Sequence, residues 1–194
     1  MIKSKKELKE WINYERGKYG VSSNIFKYLI RYKLSIESEI LFHFQKRLRT
    51  TEYLYNTKKR FRYRISNYKL RKIENKLTIH IPLNACDKGL KIMHLGPITM
   101  NMKTRLGTDC YIHVQTVFAN NGMSEGAPTI GNHCIIGAGC IIIGEITIGD
   151  FTAIGANSLV NKSFEDGNYT IAGTPAKVVS KHSSKEWVHY QEKL

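Results

Sequence analysis

No stretch of this sequence approaches the roughly 18 uncharged apolar residues that a membrane-spanning helix needs. The first ten residues, MIKSKKELKE, lack the apolar segment of a secretory signal, so we expect a cytoplasmic protein. The four cysteines form no CxxC pair and lie among apolar neighbours, which predicts free buried thiols rather than a disulfide framework or a thiolate zinc site. What remains is a globular chain of 194 residues, 42% of them hydrophobic, which is enough for a sizeable core.

Acidic residues are scarce relative to basic ones: 16 Asp and Glu stand against 30 Lys and Arg, giving a formal net charge of +14. The basic residues are concentrated before residue 76, in the segments 44–49, 56–64 and 67–76, whereas residues 106–160 contain few charged residues, four acidic and none basic. A basic region of this kind predicts an anionic partner such as nucleic acid, an anionic lipid surface or a polyphosphorylated ligand. The contrast along the chain also predicts two regions with different structures.

The basic region has the residue pattern of helices, because its apolar residues recur at mixed spacings of three and four. Gly20 and the polar residues 22–24 indicate a break followed by an N-cap. We therefore expect one helix before residue 19 and a second over residues 24–49. Residues 58–76 interleave basic residues with aromatic and aliphatic ones, a pattern compatible with either a helix or an extended chain.

From residue 100 onward a different repeat begins, in which an apolar residue occurs at every sixth position. The residues in phase are Met100, Leu106, Ile112, Phe118, Ile130, Ile136, Ile142, Ile148, Ile154 and Val160. Glycine follows five of them, and a glycine permits backbone conformations suited to corners. A period of six is typical of a β-helix, in which each flat turn buries one such side chain per hexad. Its coils must stack and need end caps, for which the helical region and residues 183–194 are candidates.

Residues 119–129 interrupt the aliphatic repeat without shifting its phase. We expect this segment to be a loop that leaves one coil and returns to it. Loops that project from a rigid scaffold often carry binding groups, so the loop is a candidate part of a functional site.

Four motifs in the second half of the chain resemble those of the hexapeptide acyltransferases. Within that family they are most similar to the serine acetyltransferase-like branch associated with bacterial surface polysaccharide synthesis. The motifs are IPLN at residues 81–84, GLKIMH at 89–94, GTDCYIHV at 107–114 and IAGTPAK at 171–177. The segment RLRTTEY at residues 47–53 is also similar to the N-terminal region of that branch.

The resemblance implies a mainly β protein with a left-handed parallel β-helix. The β-helix would occupy residues 76–181, after a helical basic region at 1–75 and before a tail at 182–194. The resemblance further implies a homotrimer that binds its cosubstrate, acetyl-CoA, in a groove between neighbouring subunits, without a metal. The implied activity is transfer of the acetyl group to a hydroxyl acceptor.

Coils of three hexads, as this family has, would stack four small residues in one column: Ala119, Gly137, Gly155 and Gly173. The residues that follow them are also short: Asn120, Ala138, Ala156 and Thr174. Such a column would leave a channel for the pantetheine arm of acetyl-CoA, although a glycine can equally serve the conformation of a corner. By resemblance, Lys177 and Lys181 are candidates for contacting the nucleotide phosphates, with ordinary surface lysines as the alternative.

His94 holds the position of the family's general base. Acetyl transfer to a hydroxyl needs a group that accepts the alcohol proton, and a neutral imidazole does so near pH 7. His113, in the next coil, is predicted either to line the same site or to lie on an ordinary polar face.

A carboxylate usually orients such an imidazole. Where serine acetyltransferases carry an aspartate for this task, the present sequence has His80. Glu125 in the loop is the substitute that we predict, and the alternatives are a solvated loop charge at Glu125 or a backbone carbonyl as the orienting group.

Two positions that would bind the charges of serine are neutral in this chain. Met93 stands where the serine enzymes have an acidic residue, and Gly126-Ala127 replaces their basic pair. The loss of charge-assisted contacts favours a neutral acceptor, most simply a sugar hydroxyl of a surface polysaccharide precursor. L-Serine, as in cysteine synthesis, remains the alternative if a neighbouring subunit supplies the charges.

Two other classes of protein are compatible with parts of the sequence. A γ-type carbonic anhydrase would recruit His80, His94 and His113 as zinc ligands, but their spacings of fourteen and nineteen do not match coils of three hexads. A polyanion-binding scaffold would use the basic N-terminal region. That region contains no recognised nucleic-acid motif, so we expect no nucleic-acid partner and, as a secondary expectation, peripheral contact with a membrane surface.

Overall fold

The computed structural model describes residues 1–191, with side chains up to residue 187. The chain divides into two units, one at Met1–Ile79 and one that begins at His80. The first unit is helical and the second is built from short strands. The division falls a few residues after the predicted boundary at residue 75, because the last helix of the first unit continues to Leu77.

Four helices form the first unit: α1 at Lys5–Lys18, α2 at Ile25–Lys33, α3 at Glu37–Asn56 and α4 at Arg60–Leu77. Ser4 and Glu7 form a capping box at the start of α1. The side chain of Asn24 accepts hydrogen bonds from two backbone N–H groups at the start of α2, which confirms the predicted N-cap. The central helix is α3, which is buried around most of its surface and packs against the other three.

The prediction of one helix over residues 24–49 is wrong. Two helices occupy that region, because Ser35 adopts a left-handed backbone with φ of +57° directly after the C-cap of α2. The next helix, α3, begins at Glu37 and continues to Asn56, beyond the predicted end at residue 49. Of the two alternatives for residues 58–76, the structure has the helix, α4.

Arg49 lies at the centre of a fully buried ion cluster in the helical unit. Its guanidinium donates to Glu15 at 2.8 and 3.0 Å and to Glu52 at 3.0 Å, and it lies 4.9 Å from the ring centroid of Trp11. The side chains of Arg49 and Glu15 have no exposed surface. The cluster joins α1 to α3, since Glu15 is on the first of these helices and Arg49 on the second.

Fourteen short strands and one helix follow α4. The strands are β1 at Ile79–His80, β2 at Lys91–Ile92, β3 at Ile98–Met100, β4 at Arg105–Leu106, β5 at Tyr111–Ile112, β6 at Thr116–Ala119, β7 at Thr129–Ile130, β8 at Ile135–Ile136, β9 at Ile141–Ile143, β10 at Thr147–Ile148, β11 at Ala153–Ile154, β12 at Leu159–Val160, β13 at Thr170–Gly173 and β14 at Ala176–Ser180. The helix is α5, at Ser184–Gln191.

The second unit is a left-handed β-helix, in which successive strands fall in turn on three parallel sheets. The β2 sheet contains β2, β5, β8, β11 and β13, with β14 antiparallel at its edge. The β3 sheet contains β1, β3, β6, β9 and β12, and the β4 sheet contains β4, β7 and β10. Each passage through the three sheets makes one coil.

The interior of the β-helix is made by the predicted hexad residues. All ten of them, from Met100 to Val160, are buried, with at most 6% of their surface exposed. The four cysteines are also buried and free, as predicted. Across the described residues, no helix has both the length and the apolar character needed to cross a bilayer.

The hexad glycines are needed for close packing between coils and not, as predicted, for the backbone conformation of corners. Neither Gly137 nor Gly131 has a positive φ, but a Cβ atom at Gly137 would lie 2.6 Å from the backbone nitrogen of Ala156 in the next coil. A Cβ atom at Gly131 would lie 2.3 Å from a carboxylate oxygen of Asp150. These glycines therefore permit the close approach of stacked coils. Several positions with a left-handed backbone are occupied by residues other than glycine, among them Asp109, Gln115, His133, Phe151 and Asn157.

Candidate active site

His94 and His113 lie next to each other at the same end of the β2 sheet. His94 comes two residues after β2 and His113 directly after β5, and these strands pair in parallel with Ile92 opposite Ile112. The centroids of the two imidazole rings are 6.0 Å apart, and their planes are tilted by 48°. His94 is exposed and His113 is half-buried. The structure thus brings together the two histidines singled out from the sequence.

The strand register continues from this pair along the β-helix. Ile112, Ile136, Ile154 and Ile171 lie opposite one another in successive coils. The residues that follow them therefore form a column, which consists of His113, Gly137, Gly155 and Ala172. The small residues of this column leave space beside the coils.

A groove of about 370 Å³ runs along this column. Its lining includes four of the predicted cofactor-binding residues: Gly137, Ala138, Gly155 and Ala156. It also includes His113 and Met93, so the groove reaches the histidine pair. The rest of the lining is Tyr111, Ile135, Ala153, Ile154, Thr170 and Trp187. A mostly apolar groove with an imidazole in its wall fits a flexible ligand whose reactive end lies near the histidines.

Ala119 is outside the groove, so the predicted column of three-hexad spacing is wrong at this position. Ala119 lies opposite Ile143 in the β3 sheet. The cause is the loop at residues 120–128, between β6 and β7, which lengthens its coil to four hexads, since Ile112 pairs with Ile136. Because the insertion adds one whole hexad, it preserves the period of six while leaving every later residue one sheet earlier than coils of three hexads would place it.

Gly173 is also displaced from the column, by one position. Ile154 lies opposite Ile171, one position short of three hexads, so Ala172 takes the place predicted for Gly173. A Cβ atom at Gly155 would lie 2.8 Å from the Cβ atom of Ala172. The last coil is therefore slightly shorter than the repeat.

Thr174 and Lys177 lie on the hairpin between β13 and β14, at the end of the β2 sheet. The hydroxyl of Thr174 donates to the backbone oxygen of Asn157 at 3.3 Å. Lys177 is exposed and lies opposite Ala172, the residue that follows the groove glycines in the column. The hairpin thus brings a cation to the end of the column farthest from His113.

Two groove glycines use their backbone N–H groups within the fold. The N–H of Gly137 donates to Ile154 and the N–H of Gly155 donates to Ile171, each at 2.8 Å. These two donors are therefore not available to a ligand in the groove.

Glu125 lies on the surface of the loop. Its carboxylate accepts a hydrogen bond from Lys103 at 2.9 Å, and 96% of its side chain is exposed. The neighbouring Gly126 is half-buried, and a Cβ atom there would overlap the exposed side chain of Glu145. A carboxylate, and not a cation, therefore lies beside Gly126.

The environment of His113 favours its neutral form. Burial lowers the pKa of His113 from its ordinary value, and the nearby His94 lowers it further. A neutral imidazole has one donor and one acceptor nitrogen, so His113 can hydrogen-bond both a ligand and a neighbour. No group of three or more metal-ligating side chains occurs among the residues that the structure describes.

Sequence reasoning missed several groove residues. Tyr111 and Ile135 precede buried hexad isoleucines, and the strand positions flanking a hexad residue could have indicated them. Trp187 comes from α5, whose start is held by a hydrogen bond from the backbone N–H of Ser184 to Phe151 at 3.1 Å. No repeat or motif in the sequence indicated that this helix lies beside the groove rather than across the end of the coils.

Comparison with known proteins places the repeat in a known class. Residues 127–162 match the family "bacterial transferase hexapeptide (six repeats)". The chain is similar to a serine acetyltransferase of Brucella abortus strain S19, with 25% identity, a TM-score of 0.65, and coverage of 75% of this chain and 58% of that protein. The predicted resemblance to the hexapeptide-repeat acyltransferases of the serine acetyltransferase-like branch is confirmed.

Two further structures are similar to this chain. One is a serine acetyltransferase in complex with CoA, with 26% identity, a TM-score of 0.57, and coverage of 71% of this chain and 56% of that protein. The other is the Neisseria gonorrhoeae serine acetyltransferase in complex with serine, which at 20% identity and a TM-score of 0.68 shares the fold over 91% of this chain and 71% of that protein. The chain thus spans less than two thirds of the first and second of these three relatives. No curated protein sequence matches it.

Proposed function

We propose that this chain is an acetyl-CoA-dependent O-acetyltransferase in which His94 acts as the general base. The observation that carries the proposal is the groove whose wall contains His113, with His94 6.0 Å away at its end. The proposal places the reaction in the cytosol, because it consumes acetyl-CoA.

The two histidines divide the work of acetyl transfer. His94 accepts the proton of the acceptor hydroxyl as that oxygen attacks the thioester carbonyl. The bond between the carbonyl carbon and sulfur then breaks, and the CoA thiolate takes the proton back from His94. His113, held neutral beside it, is available to hydrogen-bond the acceptor or the acyl oxygen without adding a second positive charge.

The groove supplies the binding surface for acetyl-CoA in this proposal. Gly137, Ala138, Gly155 and Ala156 line it, and their small side chains leave room for the pantetheine arm. Thr174 and Lys177, on the hairpin at the far end, are the candidates for contact with the nucleotide part. A lysine offers a positive charge to phosphate groups. The CoA complex of the similar serine acetyltransferase supports this choice of cosubstrate.

A sugar hydroxyl of a polysaccharide precursor is the acceptor that we propose. Met93 lines the groove beside His113, and an uncharged side chain there offers nothing to an ammonium group. Gly126 and Ala127 carry no charge and the side chain beside Gly126 is the acidic Glu145, so that position has no cation for a carboxylate. Both observations favour a neutral acceptor.

L-Serine is the second candidate acceptor. It is favoured by the similarity to serine acetyltransferases, a similarity that fits serine at least as well as a sugar. In that case a neighbouring subunit would have to supply the charged groups that bind the amino acid.

The proposal includes a homotrimer. A groove that is open along one side of the coils needs a second wall, which a neighbouring subunit of this family provides. Glu125 enters the proposal in the same way: within its own chain it is exposed and paired with Lys103, so we propose that it orients the His94 of a neighbouring subunit.

The test is release of free CoA thiol from acetyl-CoA against a panel of L-serine, simple sugars and nucleotide sugars. We expect release with a sugar or nucleotide sugar that exceeds release with serine and with no acceptor. The variant Ala156→Trp is the control, because this exposed residue lines the groove and a bulky side chain there would fill it. Serine as the best acceptor would reject the sugar, and no release with any acceptor, or full release by the variant, would reject the groove.

A further inference from the structure

The outward face of α4 carries an apolar stripe that nothing in the helical unit covers. Phe61, Ile65 and Tyr68 are exposed to 77%, 44% and 60%, and their spacing of four and three puts them on one side of the helix. The opposite side is the one that packs against the unit, where Leu70 and Glu74 are buried. Large exposed apolar side chains in a row are typical of an interaction surface.

Basic side chains border this stripe on both sides. With 100° between successive residues, Arg64 and Arg71 lie on one flank, and Arg62, Lys69 and Lys76 lie on the other. All five are exposed. The acidic residue of α4, Glu74, is on the buried side, so the outward face carries positive charge without an acidic group.

The rest of the molecule strengthens the charge argument. Residues 1–79 contain 21 basic and 7 acidic residues, a net charge of +14, whereas residues 80–194 contain 9 of each. The whole excess of positive charge therefore belongs to the helical unit. Two copies of so basic a face would repel each other, which argues against self-association as the reason for the stripe.

We propose that the outward face of α4 binds an anionic lipid surface. Phe61, Ile65 and Tyr68 enter the boundary between headgroups and acyl chains, and the flanking Lys and Arg side chains contact lipid phosphates. An apolar centre with basic flanks is the arrangement that such an interfacial helix needs. A nucleic acid would find stacking partners in Phe61 and Tyr68 but none in Ile65, so the lipid surface fits the stripe better.

The test uses the full chain in flotation with two kinds of vesicle, phosphatidylcholine alone and phosphatidylcholine mixed with phosphatidylglycerol. We expect binding to the mixed vesicles that weakens with added salt, and little binding to the neutral ones. Failure to bind the mixed vesicles, or equal binding to both kinds, would overturn the proposal. This result is independent of acetyl transfer, because vesicle binding is read without acetyl-CoA.

Two sets of variants separate the apolar stripe from the charge. Replacing the stripe with serine, Phe61→Ser with Ile65→Ser and Tyr68→Ser, should lower vesicle affinity at least tenfold. Replacing four flanking charges with glutamine, at Arg62, Arg64, Lys69 and Lys76, should lower vesicle affinity about 600-fold, since each basic residue near the surface contributes a factor of about five.

The matched control removes four equally exposed charges from the same unit, Lys3, Lys5, Lys6 and Lys9, by the same change to glutamine. It should alter affinity only a few-fold, and an equal loss would show that net charge alone, not α4, causes binding. Far-UV circular dichroism verifies that each variant is folded. If the serine variant kept full vesicle affinity but lost binding to a single-stranded oligonucleotide, the surface would belong to nucleic acid and the proposal would fail.

Discussion

The two imidazoles at one end of the groove have different surroundings, which is the basis for the different roles that we propose for them. His113 is half-buried and kept neutral by burial and by His94, whereas His94 is exposed at the end of the pair. An exposed imidazole can exchange its proton with solvent between turnovers. We therefore assign proton transfer to His94 and hydrogen bonding to His113.

The variant His94→Ala should lower turnover by about 10² to 10⁴, the contribution of a positioned general base. Affinity for acetyl-CoA should stay within a few-fold, because His94 is outside the groove lining and its truncation leaves no cavity in the core. Thiol release and calorimetric binding measure the two quantities. His43→Gln, in the helical unit, is the control and should keep normal turnover. A loss of less than tenfold in His94→Ala would contradict the assignment.

The lowered pKa of His113 predicts a pH dependence of stability. The folded state binds fewer protons at this site than the unfolded state. The contribution of His113 to the free energy of unfolding is therefore fully present above the ordinary histidine pKa of about 6.5 and is lost as the pH falls through the lowered pKa of the folded state. In His113→Gln this loss should be smaller. Thermal unfolding of both proteins from about pH 7.5 to about pH 5 measures the difference. Parallel curves for the two proteins would contradict the prediction.

Gly155 is a site where stacking leaves no room for a side chain. Because a Cβ atom there would lie 2.8 Å from that of Ala172, Gly155→Ala should lower the free energy of unfolding by about 1–3 kcal/mol. A tryptophan at this position, introduced to block the groove, would therefore not spare the fold. Gly17→Ala is the matched control: a Cβ atom there meets nothing within 4 Å in α1, so stability should rise by up to about 1 kcal/mol. Denaturant unfolding measures both free energies. A Gly155→Ala variant as stable as the original protein would contradict the close approach of Gly155 and Ala172.

At the scale of helices, the buried ions of Arg49 hold α1 against α3. Removing the guanidinium in Arg49→Met would leave the carboxylates of Glu15 and Glu52 buried without it, at a cost of about 3–5 kcal/mol. Arg71→Met is the control, because the side chain of Arg71 is 63% exposed and its pair with Glu74 should contribute under about 1 kcal/mol. The fluorescence of Trp11, beside Arg49, follows the unfolding of this unit. Equal effects of the two changes would reject the cluster as a stabilising element.

The loop at residues 120–128 explains why residues that are three hexads apart in the sequence do not always lie in the same column of the β-helix. It adds one hexad to one coil, which is invisible in a repeat of six but rotates the following strands by one sheet. This is why Ala119 is separated from Gly137 although the two are three hexads apart in the sequence. The same loop carries Glu125 away from its own coil.

At the scale of the assembly, the proposed trimer predicts complementation between two defective subunits. Glu125→Gln alone should lower turnover by an order of magnitude or more if this carboxylate orients His94. Trimers that mix Glu125→Gln with His94→Ala subunits should then regain turnover, because some interfaces join an intact His94 to an intact Glu125. The control is a mixture of two differently tagged His94→Ala subunits, which should stay inactive.

Three results would contradict parts of this proposal. Absence of recovery, with Glu125→Gln defective, would mean that Glu125 acts within its own chain. Near-normal turnover of Glu125→Gln would mean that Glu125 is only a surface residue paired with Lys103 and has no role in catalysis. Sedimentation that shows only monomer at micromolar concentration would remove the trimer from the proposal.

The sequence alone determined the interior of the second unit. A buried side chain at every sixth position is a local requirement of each flat turn, so Ile136, Ile142 and Ile154 could be assigned to the core without knowledge of their neighbours. His94 could be singled out because the motif around it resembles that of a family. The N-cap at Asn24 was predictable because it depends only on neighbouring residues in the sequence.

Only the tertiary structure decided which residues share the groove. A coil of four hexads, a coil of three hexads and a slightly shorter last coil stack on one another. The register between coils is a long-range property that depends on the sum of every loop and turn between two strands. His113 joins Gly137 and Gly155 for this reason, and Ala119 does not. Trp187 reaches the groove from a helix that no periodicity connects to it. Local patterns fix which side chains point inward, whereas the packing of whole coils fixes which outward-facing residues meet.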